Sequence, residues 1–107
     1  MDFTELQSRL RAFADERDWH AFHSPKNLAM ALSVEAAELL EHFQWLSQPE
    51  SANVSQQTRG EIAAEVADIQ IYLAILADKL GIDIDRAVDD KIAKNAAKYP
   101  PGATGLR

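Results

Sequence analysis

The sequence predicts an all-α fold, a four-helix bundle, on three observations. Apolar residues recur at three- and four-residue spacing along most of the chain, the repeat of a helix that buries one face. No segment sustains strand alternation or carries a two-residue hairpin signal. The periodic runs are divided by recognisable helix starts and stops, at Ser24-Pro25, Gly81 and Pro100-Pro101.

Taken in order, Phe3, Leu6, Leu10 and Phe13 set a first helix over about residues 3–17, with Asp2 or Thr4 as N-cap and Glu5 or Gln7 three residues on. "RDWHAFH" breaks that pattern. Ser24 is a good N-cap and Pro25 suits the first helical position, where its missing N–H costs no bond, so a second helix runs from there to about Leu46. "SQPESANVSQQT" reads as a polar loop. A third helix starts near Thr58 and stops at Gly81, a left-handed cap after Lys79 and Leu80. Asp83 or Asp85 caps a fourth, to about Lys98, and "YPPGATG" then leaves a flexible tail from about residue 100. The second and third helices are rich in Ala, Leu and Ile around much of their circumference. Helices of that kind need burial on more than one side, so a homo-oligomer is expected.

With 107 residues and 47% hydrophobic content, the chain reads as one folded domain over residues 1–107. No apolar run approaches the ~20 residues that span a bilayer, and "MDFTELQSRL" lacks the basic start and apolar stretch of a secretory signal, so a cytoplasmic location without membrane contact is expected. Cysteine is absent, which removes disulfides, thiolate metal sites and cysteine nucleophiles together. A formal net charge of −6 argues against binding a nucleic-acid polymer, whose phosphates are matched by Lys and Arg.

The distribution of charge says more. Between Asn27 and Asp78 the acids are Glu35, Glu38, Glu41, Glu50, Glu61, Glu65, Asp68 and Asp78, against Arg59 as the one Lys or Arg. Glu61, Glu65, Asp68 and Tyr72 fall within about 60° of one another on the third helix. Glu35 shares its sector of the second helix with Leu28, Leu32 and Leu39, and Glu38 follows one turn on. An acidic stripe is most often a solvated face, but such faces usually mix signs; these acids have like-charged neighbours at i+3 and i+4. A divalent cation removes the repulsion. Two carboxylates one turn apart on each of two helices offer four oxygen donors to a hard metal, and without suitable Cys or His the expected ion is Mg²⁺, with Mn²⁺ as a substitute. A ferritin-like di-iron site requires Glu-x-x-His pairs, and none of His20, His23 and His42 has an acid three residues before it. No phosphate-binding glycine loop is present, so a nucleotide would be held through metal and side chains.

Glu35-x-x-Glu38 and, after 26 intervening residues, Glu65-x-x-Asp68 resemble the split motif of the MazG-like all-α nucleoside triphosphate pyrophosphohydrolases. The flanks "ERDWHAFHSPKNLAMALSVEAAELLEHFQW", "EVADIQIYL" and the late K-x-x-x-N-x-x-KYP are similar to the dCTP pyrophosphatase branch, over about Phe3 to Pro100. The resemblance implies a Mg²⁺-dependent enzyme that cleaves a nucleoside triphosphate between the α and β phosphates, with dCTP or a modified deoxynucleotide as expected substrate. It implies metal ligands at Glu35, Glu38, Glu65 and Asp68, and assembly into dimers or dimer-of-dimers tetramers. It implies base-pocket walls at Trp19 and Trp45, a sugar contact at Tyr72, and phosphate or nucleotide contacts at His23, Lys26, Asn27, Lys91, Asn95, Lys98 and Tyr99. Lys91, Asn95 and Lys98 also share one face of the fourth helix by spacing alone. Two positions depart from the pattern. Val34 stands where many members carry a second acid, which leaves Glu38 or Glu41 to help activate the attacking water. Leu10 stands where vertebrate-type relatives have histidine, which bears on cytosine selectivity. The competing readings are a metal-dependent nucleotide-binding module without turnover and a structural helical oligomer with an acidic surface.

Overall fold

The computed structural model describes residues 2–102; the expected tail beyond Gly102 lies outside the described residues. The chain forms α1 (Phe3–Arg17), a single 3₁₀ turn (His20–Phe22), α2 (Pro25–Glu41), α3 (Gln48–Ser51), α4 (Gln56–Leu80) and α5 (Ile84–Lys98). No strand occurs among the described residues.

The helix ends follow from local chemistry. Asp2, Ser24 and Asp83 each accept a backbone N–H three residues on, from Glu5, Asn27 and Arg86, and so cap α1, α2 and α5. Gly81, at φ +65°, ends α4 with its N–H on Ala77 and Asp78 carbonyls. Asp18 does the same for α1 at φ +54°, a left-handed conformation that Asp tolerates better than most side chains.

The four-helix expectation is corrected to five. The second helix stops at Glu41 rather than near Leu46, because the chain tightens into turns with His42 N–H on the Leu39 carbonyl and Phe43 N–H on that of Leu40. The expected loop then contains the one-turn α3. Ser47 Oγ accepts the Glu50 N–H at 3.2 Å while Glu50 Oε1 accepts the Ser47 N–H at 2.8 Å, a reciprocal capping box with Pro49 in the first turn. Ser55 caps α4, which begins at Gln56, two residues before the expected start.

α2 lies along α4, and α1 packs on α4 beside it. The fully buried core is thin: Ala14, Leu28, Ala74 and Ala77. Alanines on α1 and α4 allow close approach, and Gln7 Nε2 donates across the contact to the Ala74 carbonyl at 3.1 Å. α5 has no comparable seat on the other helices. Val88 and Ile92 on it are about half exposed or more.

Candidate metal centre and adjoining cleft

The α2–α4 contact places Glu35 and Glu38 opposite Glu65, with one oxygen of each within 4.8 Å of the others. All three residues are half-buried. Glu35 Oε2 and Glu65 Oε2 are enclosed and have no hydrogen-bond partner. Ionised carboxylates only accept, so neither can satisfy the other. The Glu35 pKa is accordingly raised, first by side-chain contact with Glu65, then by burial and by the negative charge of Asp68, while contact with Glu38 acts in the opposite direction. Three oxygen donors, two enclosed unpartnered atoms and no ion pair to Glu35, Glu38 or Glu65 among the described residues fit a hard divalent ion, and the fit rests on those atoms. Asp68 stands outside the three-oxygen group, exposed, one turn beyond Glu65.

Asp68 instead lines a cleft of about 410 Å³ between α4 and the α1 end of the molecule. Phe13, Trp19 and His23 form one wall; Ile71 and Tyr72 continue the other. The left-handed turn at Asp18 swings Trp19 back over α1, where its N–H reaches the Ala14 carbonyl at 3.0 Å. Its ring meets Phe13 edge to face, with centroids 5.5 Å apart, and the Arg17 guanidinium lies 3.5 Å over Phe13 on its own side. The His23 pKa is lowered by burial, then by the charges of Lys79 and His20, which favours a neutral ring with one donor and one acceptor nitrogen. The acidic group and an aromatic cleft thus adjoin along a single face of α4, through Glu65, Asp68 and Tyr72.

Residues 30–104 match the MazG-like family. The chain belongs to the MazG-like family. Among its relatives, dCTP pyrophosphatase 1 of Rattus norvegicus is 44% identical over 95 residues, and that of Homo sapiens 42%. Each alignment covers 86% of this chain and 56% of the relative, so the chain spans about half the length of the curated relatives it matches. A solved pyrophosphatase from Archaeoglobus fulgidus is 47% identical, superposes with a TM-score of 0.85 and is covered to 91%, as is this chain.

The MazG-like match includes all four motif acids and leaves out α1 and the segment carrying Trp19 and His23. The remaining expected site residues do not line the cleft. Trp45 is 87% exposed on the turn after α2. Lys26 is exposed in the first turn of α2, and the Asn27 amide is used locally, donating to the Phe22 carbonyl at 3.2 Å. Lys91 and Asn95 are exposed on α5, where the Lys98 ammonium rests 5.2 Å over the Tyr99 ring. Glu41 is exposed at the end of α2, outside the acidic group. His42 faces Glu61 at 3.8 Å, a contact between α2's end and α4 away from the cleft. Sequence reading missed Phe13 as a cleft wall, since its helical spacing marks it equally as core; only the position of Trp19 distinguishes the two.

Proposed function

We propose that the protein is a Mg²⁺-dependent pyrophosphohydrolase that cleaves a deoxynucleoside triphosphate, with dCTP or a modified relative preferred, into the monophosphate and pyrophosphate. The observation that carries this reading is the pair of enclosed, unpartnered oxygens of Glu35 and Glu65 beside a cleft walled by Trp19 and Tyr72. Membership of the MazG-like family and the pyrophosphatase relatives support it.

Glu35, Glu38 and Glu65 would hold the ion, with Asp68 joining from the cleft side. When bound, Mg²⁺ supplies positive charge to the triphosphate oxygens and polarises water for attack. Trp19 stacks on the base, Tyr72 takes the sugar and His23 offers its neutral ring to the base edge. Water attacks the α phosphorus, the bridging α–β P–O bond breaks, and the attacking water's proton passes to Glu38, with Glu41 as the alternative acceptor. Pyrophosphate carries away the charge that accumulates on the leaving oxygen.

The active species we propose is a homo-oligomer, a dimer or a dimer of dimers, acting in the cytoplasm; no helix among the described residues is long and apolar enough to cross a membrane. The chain exposes 8204 Å² where a compact monomer of this mass exposes ~5,900 Å². Its radius of gyration is 16.8 Å where a compact chain of this length has about 13 Å. Met30, Val34 and Leu40 on α2 and Val88 and Ile92 on α5 are exposed apolar side chains that a second copy would cover. That copy's α5 would bring Lys91, Asn95 and Lys98, with Lys26 and Asn27 from the start of α2, towards phosphate charge, and its Trp45 and Tyr99 towards the base.

Pyrophosphate release measured with Mg²⁺ across the four common dNTPs tests the reading. Turnover strongest on dCTP is expected, with Mn²⁺ partly replacing Mg²⁺. Binding of nucleotide without release would instead make the chain a regulatory module, and equal kcat/KM for all four would remove the base preference. A monomer mass by light scattering at micromolar concentration would remove the oligomer.

A further inference from the structure

His23 separates the cleft from a smaller, more enclosed cavity of about 60 Å³, whose other walls include Arg11, His20, Asp78 and Lys79. Two bridges cross it. Arg11 Nη1 meets Asp78 Oδ1 at 2.6 Å, tying α1 to α4 directly. One residue further along α4, Lys79 Nζ lies 3.3 Å from His20 Nδ1, while His20 Nε2 lies 2.5 Å from Asp15 Oδ1 on α1. An ammonium has only hydrogens to give, so in this contact Nδ1 accepts from Lys79 while Nε2 donates to Asp15. The His20 ring therefore spans from α1 to α4.

The position of that ring in the chain gives the bridge its consequence. His20 opens the 3₁₀ turn, directly after Trp19 and three residues before His23, and none of the turn's residues is buried. Trp19 ahead of it is held by its N–H on Ala14 and by the Phe13 ring, and the Asn27 amide reaches the Phe22 carbonyl, but the turn itself has no buried side chain. The His20–Asp15 contact is itself open to solvent, with side chains 39% and 70% exposed. Solvated pairs add little to global stability. What such a pair still does is choose one geometry for a segment that has few other restraints.

We propose that His20 is a positioning residue, which anchors the turn bearing Trp19 and His23 to both α1 and α4 and so sets the width of the cleft's base-binding end. The proposal rests on the reading of that cleft as the nucleotide site. Glutamine has one donor and one acceptor at its tip, so it can keep both arms, whereas alanine keeps neither.

The test is steady-state kinetics on dCTP with saturating Mg²⁺ for His20→Ala, His20→Gln, Lys79→Met and Trp19→Ala. His20→Ala and Lys79→Met should each raise KM about tenfold with kcat held within about twofold, because only the binding geometry is disturbed. The double variant should be no worse than either single one. His20→Gln should keep a KM near that of the unaltered protein, because it keeps both contacts. An unaltered KM in His20→Ala beside a raised KM in Trp19→Ala would overturn the proposal while leaving the cleft reading in place. Equal impairment of His20→Gln and His20→Ala would overturn it too. An unaltered KM in Trp19→Ala would remove the cleft reading, and the role of His20 with it. If His20→Ala does not fold, Lys79→Met breaks the same bridge from the exposed surface of α4 and decides the matter.

Discussion

The two tryptophans of this chain carry the same expectation and meet opposite fates. Trp19 is held by a left-handed turn, a backbone bond to Ala14 and the Phe13 ring, and it walls a cleft that α4 completes. Trp45 projects 87% exposed from the turn after α2. The same division runs through the charges: Glu35, Glu38 and Glu65 converge within the chain, whereas Lys91 and Asn95 are exposed on a helix with no firm seat. One half of the candidate site is built from a single chain. The other half has the side chains and lacks a surface, which is what the proposed homo-oligomer would supply.

The largest expected effect lies in the self-contained half. Glu65→Gln keeps the shape of the side chain and removes the charge opposite Glu35, so pyrophosphate release should fall at least about a hundredfold, beyond what losing a supporting partner of a ligand costs. Lys91→Ala should fall less, and in kcat more than KM, since its charge would act as negative charge moves onto the departing pyrophosphate. Comparable losses in the two variants would erase the distinction between the halves.

A subunit-mixing experiment sharpens the comparison directly. Trp19→Ala and Trp45→Ala should each raise KM, since a stacked aromatic contributes ~1–3 kcal/mol to ground-state and transition-state binding alike. If each site takes Trp19 from one copy and Trp45 from the next, random re-association of the two variants restores about a quarter of the sites: half the pairs are hybrids, and each hybrid has one intact site. Recovery of low-KM activity on mixing is the expected result. No recovery would place both rings in one chain. Ile92→Glu, which sets a charge on the exposed face of α5, should shift the mass by light scattering towards monomer and abolish recovery while leaving the helical content of α1, α2 and α4 intact.

What was legible in the sequence divides along the same line. The helix start at Ser24 and the stop at Gly81 are readable because a cap depends on residues within one turn, and the structure selects Asp83 over Asp85 for α5. α3 is equally local, since Ser47-x-x-Glu50 is a capping box, but the polar composition of the stretch reads as loop. The convergence of Glu35, Glu38 and Glu65 followed from spacing once α2 and α4 pack. The seat of Asp68 did not: about 60° round α4 from Glu65 it lines the cleft, and which neighbour covers that side of α4 is set by how α1 packs, not by spacing on α4. Trp45 could not be placed from spacing, since the turn after α2 leaves its ring 87% exposed.

The smallest effect concerns the acidic group without its metal, and it tests whether the self-contained half is strained until filled. The folded-state pKa of Glu35 is raised above the ordinary 4.5 by Glu65, burial and Asp68. Between those two values the native state binds more protons than the unfolded one, so the metal-free protein should lose stability as pH rises through that window, and the loss is complete above the folded pKa. Glu35→Gln has no proton to lose. In EDTA its melting temperature should therefore fall less across the same window and lie above that of the unaltered protein at pH 7. Added Mg²⁺ should reverse the order, because an ion that binds only the folded state raises the melting temperature of the protein that holds it, and Glu35→Gln should gain little. A lower melting temperature for Glu35→Gln in EDTA, together with an undiminished Mg²⁺ shift, would mean that Glu35 is an ordinary packing residue of α2 and that the ion, if one binds, is held elsewhere.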